Sequence, residues 1–459
     1  MRSSRPAPWR SRALLLLSAS TLWTASARAA PESDSRPDGN PRPAGEGPAH
    51  EAESAAQSLA TAAQSLVKDR LGIAGSARGA LFSQDLSSSG DSGFALGSLW
   101  LTAQPEAFFG VKTYVDARVQ GQNLTRSFRP SWDLREAYVE PSVDDFDFRA
   151  GRQITVWGRA DKVNPTDVWS TRDYTLLTTD DEDQRLGISA VQVAWNHWDH
   201  RLIAYWQPEW RAPLLPIPPL PAGVTLQSVT PRDPASQLGV KLDHSGGLVD
   251  YSLSYAHVMN RLPDLTVLAA GSSGELVGLQ FDPVDVLGGD AAIVAGDFGL
   301  RAEAAYTRVR GSGTDPLTQR SNLFAVVGAE RTFAGVFNIN VQYLYRHAFN
   351  WQDPARIPDP KMQLLAQQET LASNQLSGDM QGASLRFDHK AFNETLETEL
   401  AALTWFAKGD ATLRPKVTYA FTDHLKGIVG AQIYLGPNDS FFGRLRSAST
   451  GFAELRYGF

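Results

Sequence analysis

Residues 449–459 read Ser-Thr-Gly-Phe-Ala-Glu-Leu-Arg-Tyr-Gly-Phe. Ala453, Leu455, Tyr457 and Phe459 share one parity; Glu454, Arg456 and Gly458 share the other. Side chains alternate across a strand, so one face is apolar and aromatic and the other charged. Such a ribbon suits either the edge of a sandwich in water or a wall between water and hydrocarbon. In hydrocarbon every backbone group needs a partner, so the last strand would have to close onto the first.

The composition favours the wall. Charged residues make up 20% of the 459 and hydrophobic ones 42%. Beyond the first 30 residues, no segment approaches the roughly 20 apolar residues that a spanning helix needs. A membrane protein of this polarity must be a barrel, whose strands are apolar only at alternate positions. There is no cysteine, which excludes a lipid-anchored lipoprotein, disulfides and thiolate metal sites.

Residues 1–29 read as a signal peptide. Arg2, Arg5, Arg10 and Arg12 form a basic start, Ala13 to Leu17 begin the apolar stretch, and Ala27-Arg28-Ala29 fits a cleavage site. Removing them leaves 38 basic and 50 acidic residues, and net charge falls from −7 to −12. Residues 30–50 are rich in proline and glycine and read as a disordered linker. In 51–70, Leu59, Ala62, Ala63, Leu66 and Val67 recur at helical spacing. This short periplasmic helix is either a solvated linker or an element that docks at, or partly plugs, the mouth.

From 71 to 459 alternating segments predict eighteen strands: 71–83, 93–104, 109–121, 131–140, 146–157, 186–196, 200–210, 236–244, 247–258, 284–296, 297–309, 321–333, 335–349, 378–389, 394–407, 411–422, 424–436 and 448–459. The connections between them alternate short and long, apart from 408–410. That is the pattern of an antiparallel up-and-down transmembrane barrel with both termini on the short-turn, periplasmic side. Arg152 shares parity with Phe148 and Ile154, which points to a bulge or a wrong register, and Pro415 removes a ladder donor in mid-strand. Trp100, Trp157, Trp195, Trp206, Trp210, Tyr419 and Tyr457 are candidates for interfacial girdles.

A barrel this wide leaves an aqueous channel. Parity turns Lys112, Arg118, Arg301, Arg346, Arg414, Lys416, Lys426 and Arg456 inward, against Asp116, Asp250, Glu303 and Glu454. Basic walls favour anions; equally, such charges pair with acids and hold the barrel round. The long segment 158–185 is dense in Asp and Arg. It either folds into the lumen, with Arg159, Asp161, Lys162, Asp167, Arg172 and Asp173 at a constriction, or caps the outside. The stretch from Lys361 to Ala372 reads as a helix within a long loop, and 211–221, with five prolines, as a stiff connection.

The final strand resembles the terminal signal strand of bacterial outer-membrane barrels, which implies recognition by barrel-assembly machinery. Gly151-Arg152-Gln153, Trp157-Gly158-Arg159-Ala160-Asp161 and Asn164-Pro165-Thr166-Asp167 resemble a proteobacterial family of outer-membrane barrels. That family is similar to alginate-export porins and to the barrel partners of polysaccharide-export translocons. The resemblance implies a channel for a hydrophilic, often anionic substrate.

The expectation is therefore a pore in outer-membrane lipid, exporting an anionic polysaccharide and meeting a periplasmic export protein, or else a nutrient porin. An adhesin barrel is a further alternative. An enzyme is not expected: the eight histidines fall mostly near turns, no nucleophile motif accompanies them, and neither a metal nor another cofactor is called for. The acidic mature chain gives nucleic-acid binding no support.

Overall fold

The computed structural model describes residues 70–84, 93–107, 109–122, 129–215, 224–231, 236–271, 274–311 and 315–459. The signal segment, the linker and the expected helix lie outside them, apart from Arg70, as do Pro216, Pro218, Pro219 and Pro221. Eighteen long strands make a closed antiparallel barrel. They are β1 (Ile73–Gln84), β2 (Gly93–Ala103), β3 (Lys112–Gln122), β4 (Arg129–Glu140), β5 (Phe146–Gln153), β6 (Ile188–His197), β7 (His200–Gln207), β8 (Gln237–His244) and β9 (Asp250–Met259). The second half holds β10 (Pro283–Ala295), β11 (Phe298–Val309), β12 (Asn322–Phe333), β13 (Phe337–Ala348), β14 (Asp379–Ala391), β15 (Leu396–Trp405), β16 (Asp410–Ala420), β17 (Leu425–Leu435) and β18 (Thr450–Gly458).

Each strand pairs with the next, and β18 returns to β1 from Ser76↔Gly458 to Gln84↔Thr450. Phe459 extends the seam: its N–H and carbonyl oxygen bond the Gly75 backbone at 3.0 and 2.9 Å. Every strand thus has two partners, which satisfies the backbone without water. The two faces are distinct at this seam. Leu81 is 63% exposed and Leu455 58%, whereas Glu454 on the other face is 7% exposed.

The connections sort into a rim of mostly short turns and a rim of mostly long loops. The exceptions are 104–111 on the short-turn rim, which is as long as 85–92 and longer than 123–128 on the other, and 406–409, which is short, as expected. The irregularities have local causes. Opposite Asp116 lies Glu136, but opposite Ala117 lies Leu134, so Arg135 is the extra residue of a bulge in β4. Pro415 lacks an N–H, and the ladder to β17 skips from Leu413↔Ile433 to Lys416↔Gly430 without changing register.

Three expectations are corrected. The fifth strand ends at Gln153 rather than at residue 157, because the chain there turns away from the wall. Trp157 is consequently not in a girdle but buried in a core cluster. Trp100 also points inward, where the Arg78 guanidinium lies 4.1 Å above its ring. Trp195, Trp206, Tyr419 and Tyr457 do stand exposed on the outside, between 40% and 50%.

The long loops build a subdomain of their own. Strand Val224–Pro231 runs parallel to Gly274–Phe281, which pairs antiparallel with Asp264–Gly271. Helix α1 (Pro360–Ala372) packs on this sheet through Leu365 and Ala366, in one core with Leu265, Val277 and Leu317. The helix starts where expected, because Pro360 supplies a helical φ and the Asp359 side chain accepts the Lys361 N–H at 3.0 Å.

Candidate functional site: a loop across the lumen

After Gln153 the chain leaves the wall and does not rejoin it until Ile188. What carries it inward is an aromatic anchor. The Trp157 and Trp169 rings lie 5.1 Å apart, and the Trp169 ring lies 4.4 Å from that of Tyr205 of β7, tilted by 57°. All three are buried against β6, β7 and β9–β11. The wall is carved to receive them, since a Cβ on Gly239 of β8 would come within 2.4 Å of the Trp169 ring.

Next, the backbone is gripped by a carboxylate. Glu303 of β11 accepts the N–H groups of Arg159, Ala160 and Thr166 at 3.0, 2.9 and 2.7 Å, and the Thr166 hydroxyl at 2.8 Å. Gly158 makes this approach possible. Its φ is +99°, and a Cβ there would lie 2.5 Å from the Glu303 oxygens. Arg159 then forks between Asp243 of β8, at 2.5 Å, and Asp290 of β10. Arg386 of β14 holds Asp161 at 3.3 Å. Ala160 and Val163 pack on the cluster formed by Val326, Leu344, Met380 and Trp405.

The far end of the loop meets the opposite wall. Leu177 packs on Ala80, Phe82, Leu96, Ile428 and Phe452. The run Asp180-Asp181-Glu182-Asp183 follows, and bases surround it. Lys416 and Arg456 reach Asp180 at 3.3 and 2.9 Å, Arg414 pairs with Asp181, and Arg78 reaches Asp183 at 2.7 Å. Burial pushes the Asp180 carboxyl up, but the Arg456 and Lys416 charges outweigh it and hold it at about 2. Arg118 and Arg135 donate to the carbonyl oxygens of Asp183 and Glu182.

The expected lumen residues therefore divide. Arg118, Arg414, Lys416 and Arg456 hold the loop. Arg301 pairs with Glu330 at 2.8 Å. Arg346 donates to the Asn374 carbonyl oxygen and covers Phe324. Lys112 and Lys426 are exposed near the short-turn rim, opposite Glu140 and Ala420 in the ladders. Of the six loop residues, Arg159 and Asp161 grip the wall, while Lys162 lies 3.7 Å from Asp181 and burial lowers its pKa. Asp167, Arg172 and Asp173 brace the loop from within: Asp167 binds Arg185 at 2.7 Å, Arg172 meets Glu182 at 3.5 Å, and Asp173 caps Thr175.

The expected excess of base over acid on the wall, eight against four, narrows to twelve against ten. Asp133, Asp243, Asp290, Glu330, Asp388 and Glu399 join the four acids that parity had assigned. Parity had also missed Arg78, Arg135, Lys241 and Arg386 among the bases. The acidic run was the available signal for the docking site, being four successive carboxylates in a loop already dense in charge. Beside the loop, a cavity of about 660 Å³ opens between Arg159–Asp161 and the ends of β9–β11, lined by Asp250 and Arg301. Among the described residues, no group of three or more His, Asp or Glu is placed to hold a metal ion.

Comparison with known proteins matches residues 102–318 to a family described as "Protein of unknown function (DUF1302)". No curated protein sequence matches. The solved structure of Pseudomonas aeruginosa OccK8 (OprE) is similar with a TM-score of 0.50 and 10% identity, over 84% of this chain and 97% of that one. Acinetobacter baumannii OccAB3 is similar at 0.49 and 10%, over 84% and 98%. A Rh. blastica porin is similar at 0.39 and 13%, over 84% and 99%. At such identities the likeness to OccK8 is one of fold, a barrel of this kind, and the match within residues 102–318 takes in all of the lumen-crossing loop.

Proposed function

We propose that the chain is an outer-membrane pore that passes small hydrophilic solutes through its lumen. The observation that carries this reading is the contrast of faces on a closed cylinder, apolar outside and charged inside, with a loop anchored across the middle. The apolar band needs lipid, and a charged lumen crossed by a folded loop is a filter rather than a packed core. The short-turn rim then faces the periplasm, with both termini. The loop's anchorage on strands all around the wall favours small solutes over a polymer. The polysaccharide-export alternative rests on the resemblance of Gly151–Asp167.

Purified full-length protein in planar bilayers is expected to give discrete conductance steps. Folded protein that inserts and never conducts would overturn the pore. A deletion strain separates the two substrates: slowed uptake of small solutes with normal surface polysaccharide is the expected result, and lost polysaccharide would favour export.

A further inference from the structure

The solute-pore reading leaves unexplained why the loop carries four successive acids. The bases that meet them come from an arc of neighbouring strands, β16 through β18 and β1 to β4. Asp180, Asp181 and Asp183 each engage a different base or pair of bases, so three carboxylates along a short stretch of chain occupy the arc. The wall bases are poorly hydrated: the side chains of Arg78, Arg414 and Lys416 are 12%, 10% and 15% exposed. The Asp180 and Asp181 side chains are each 34% exposed and thus reachable by solute. The loop's other anchors, Glu303 and the tryptophans, lie elsewhere and do not depend on this contact.

We propose that Asp180–Asp183 is a resident anionic ligand of the wall, a blocker supplied by the chain itself, which a solute carrying several negative charges displaces from the basic arc. The inference rests on the solute-pore reading of the same lumen. Lys416 and Arg456 keep Glu399 and Glu454 of the wall at 3.1 and 2.7 Å, so Arg78 and Arg414 are the bases whose carboxylate partners lie in the run. Desolvated cations left without partners are costly, and what replaces the run must match its charge spacing. The exchange swaps one set of charge-assisted bonds for another. It leaves the loop's grip on Glu303 in place.

The test uses the full chain in detergent, with hexaglutamate as the probe. D180N/D181N is expected to bind it at least about fivefold tighter than the natural protein, since the competing carboxylates are gone. Adding K416Q and R456Q should abolish that gain, and D439N, on an exposed loop, should change nothing. In bilayers the chloride-to-potassium permeability ratio of D180N/D181N should rise at least about twofold. Should D180N/D181N fold poorly, D181N alone should shift both readouts in the same direction. Binding no tighter than the natural protein's, or a gain that survives K416Q/R456Q, would overturn the proposal. A natural protein that binds as expected but never conducts defeats the solute pore and leaves the ligand role standing.

Discussion

At the scale of single residues, Glu303 and Gly158 decide whether the loop stays in the lumen. The carboxylate satisfies three backbone N–H groups and a hydroxyl at once, and no other described side chain accepts from those N–H groups. Hydrogen bonds to charged groups are each worth about 1.5–3 kcal/mol and are not additive. E303A should therefore loosen residues 158–166 by on the order of 3 kcal/mol. Protease cleavage within the loop and larger conductance steps are the readouts; an uncleaved variant with unchanged conductance would contradict the assignment. G158A should give a milder version of the same phenotype, since it forces a side chain into φ +99° and against the Glu303 oxygens, a strain of about 1–3 kcal/mol. The stretch Trp157-Gly158-Arg159 was visible in the sequence as distinctive. Its reason was not, because the partner that makes glycine necessary lies far along the chain, on β11.

Between residue and molecule stand the elements, and here pattern reading did best on strands and least well on loops. All eighteen strands follow from parity and from the sorting of connections by length, because a two-faced wall imposes a period of two on every segment. A loop that lands on many separate strands has no such period, so the destination of 154–187 could not be read from it. The subdomain over the long-loop rim shows the same limit, and it makes a pH prediction. Asp264 and Glu369 are buried together, at 5% and 2% exposure, each accepting one backbone N–H from a neighbouring loop segment. Burial, then the Asp282 charge, raises Asp264 to about 7; burial and the Asp264 charge raise Glu369 well above the ordinary range. A folded-state pKa above the unfolded one means that the folded form holds the proton more tightly. Stability is then full under acidic conditions and is lost as pH rises from about 4 to about 7. Hydrogen exchange, corrected for intrinsic rates, should show α1 and residues 264–281 less protected at about pH 8 than at about pH 5, and D264N should flatten the difference. Equal protection at both pH values in the natural protein would refute it. Asp180 works in the opposite sense. Its lowered pKa keeps the anchor intact at neutral pH and releases it only as pH falls from about 4 towards 2.

For the molecule as a whole, the proposed pore puts the outer side of the wall in lipid, and substitution by the same residue on each face tests it. Leu455 lies on the outer face of β18, more than half exposed and beside the seam with β1. Thr418 lies on the inner face of β16, on the same parity as the loop-binding Arg414 and Lys416. A charge at mid-depth on a lipid-facing position costs about 2–4 kcal/mol, whereas a lumen position already lies in water. L455R should therefore reduce the folding free energy into phospholipid vesicles by about 2–4 kcal/mol, while T418R should cost well under 1 kcal/mol. The comparison controls for arginine's bulk and charge, since both variants carry it. It also separates a bilayer from a soluble assembly. If the apolar band were covered by protein, both variants would fold equally well without lipid, and the vesicle titration would not distinguish them.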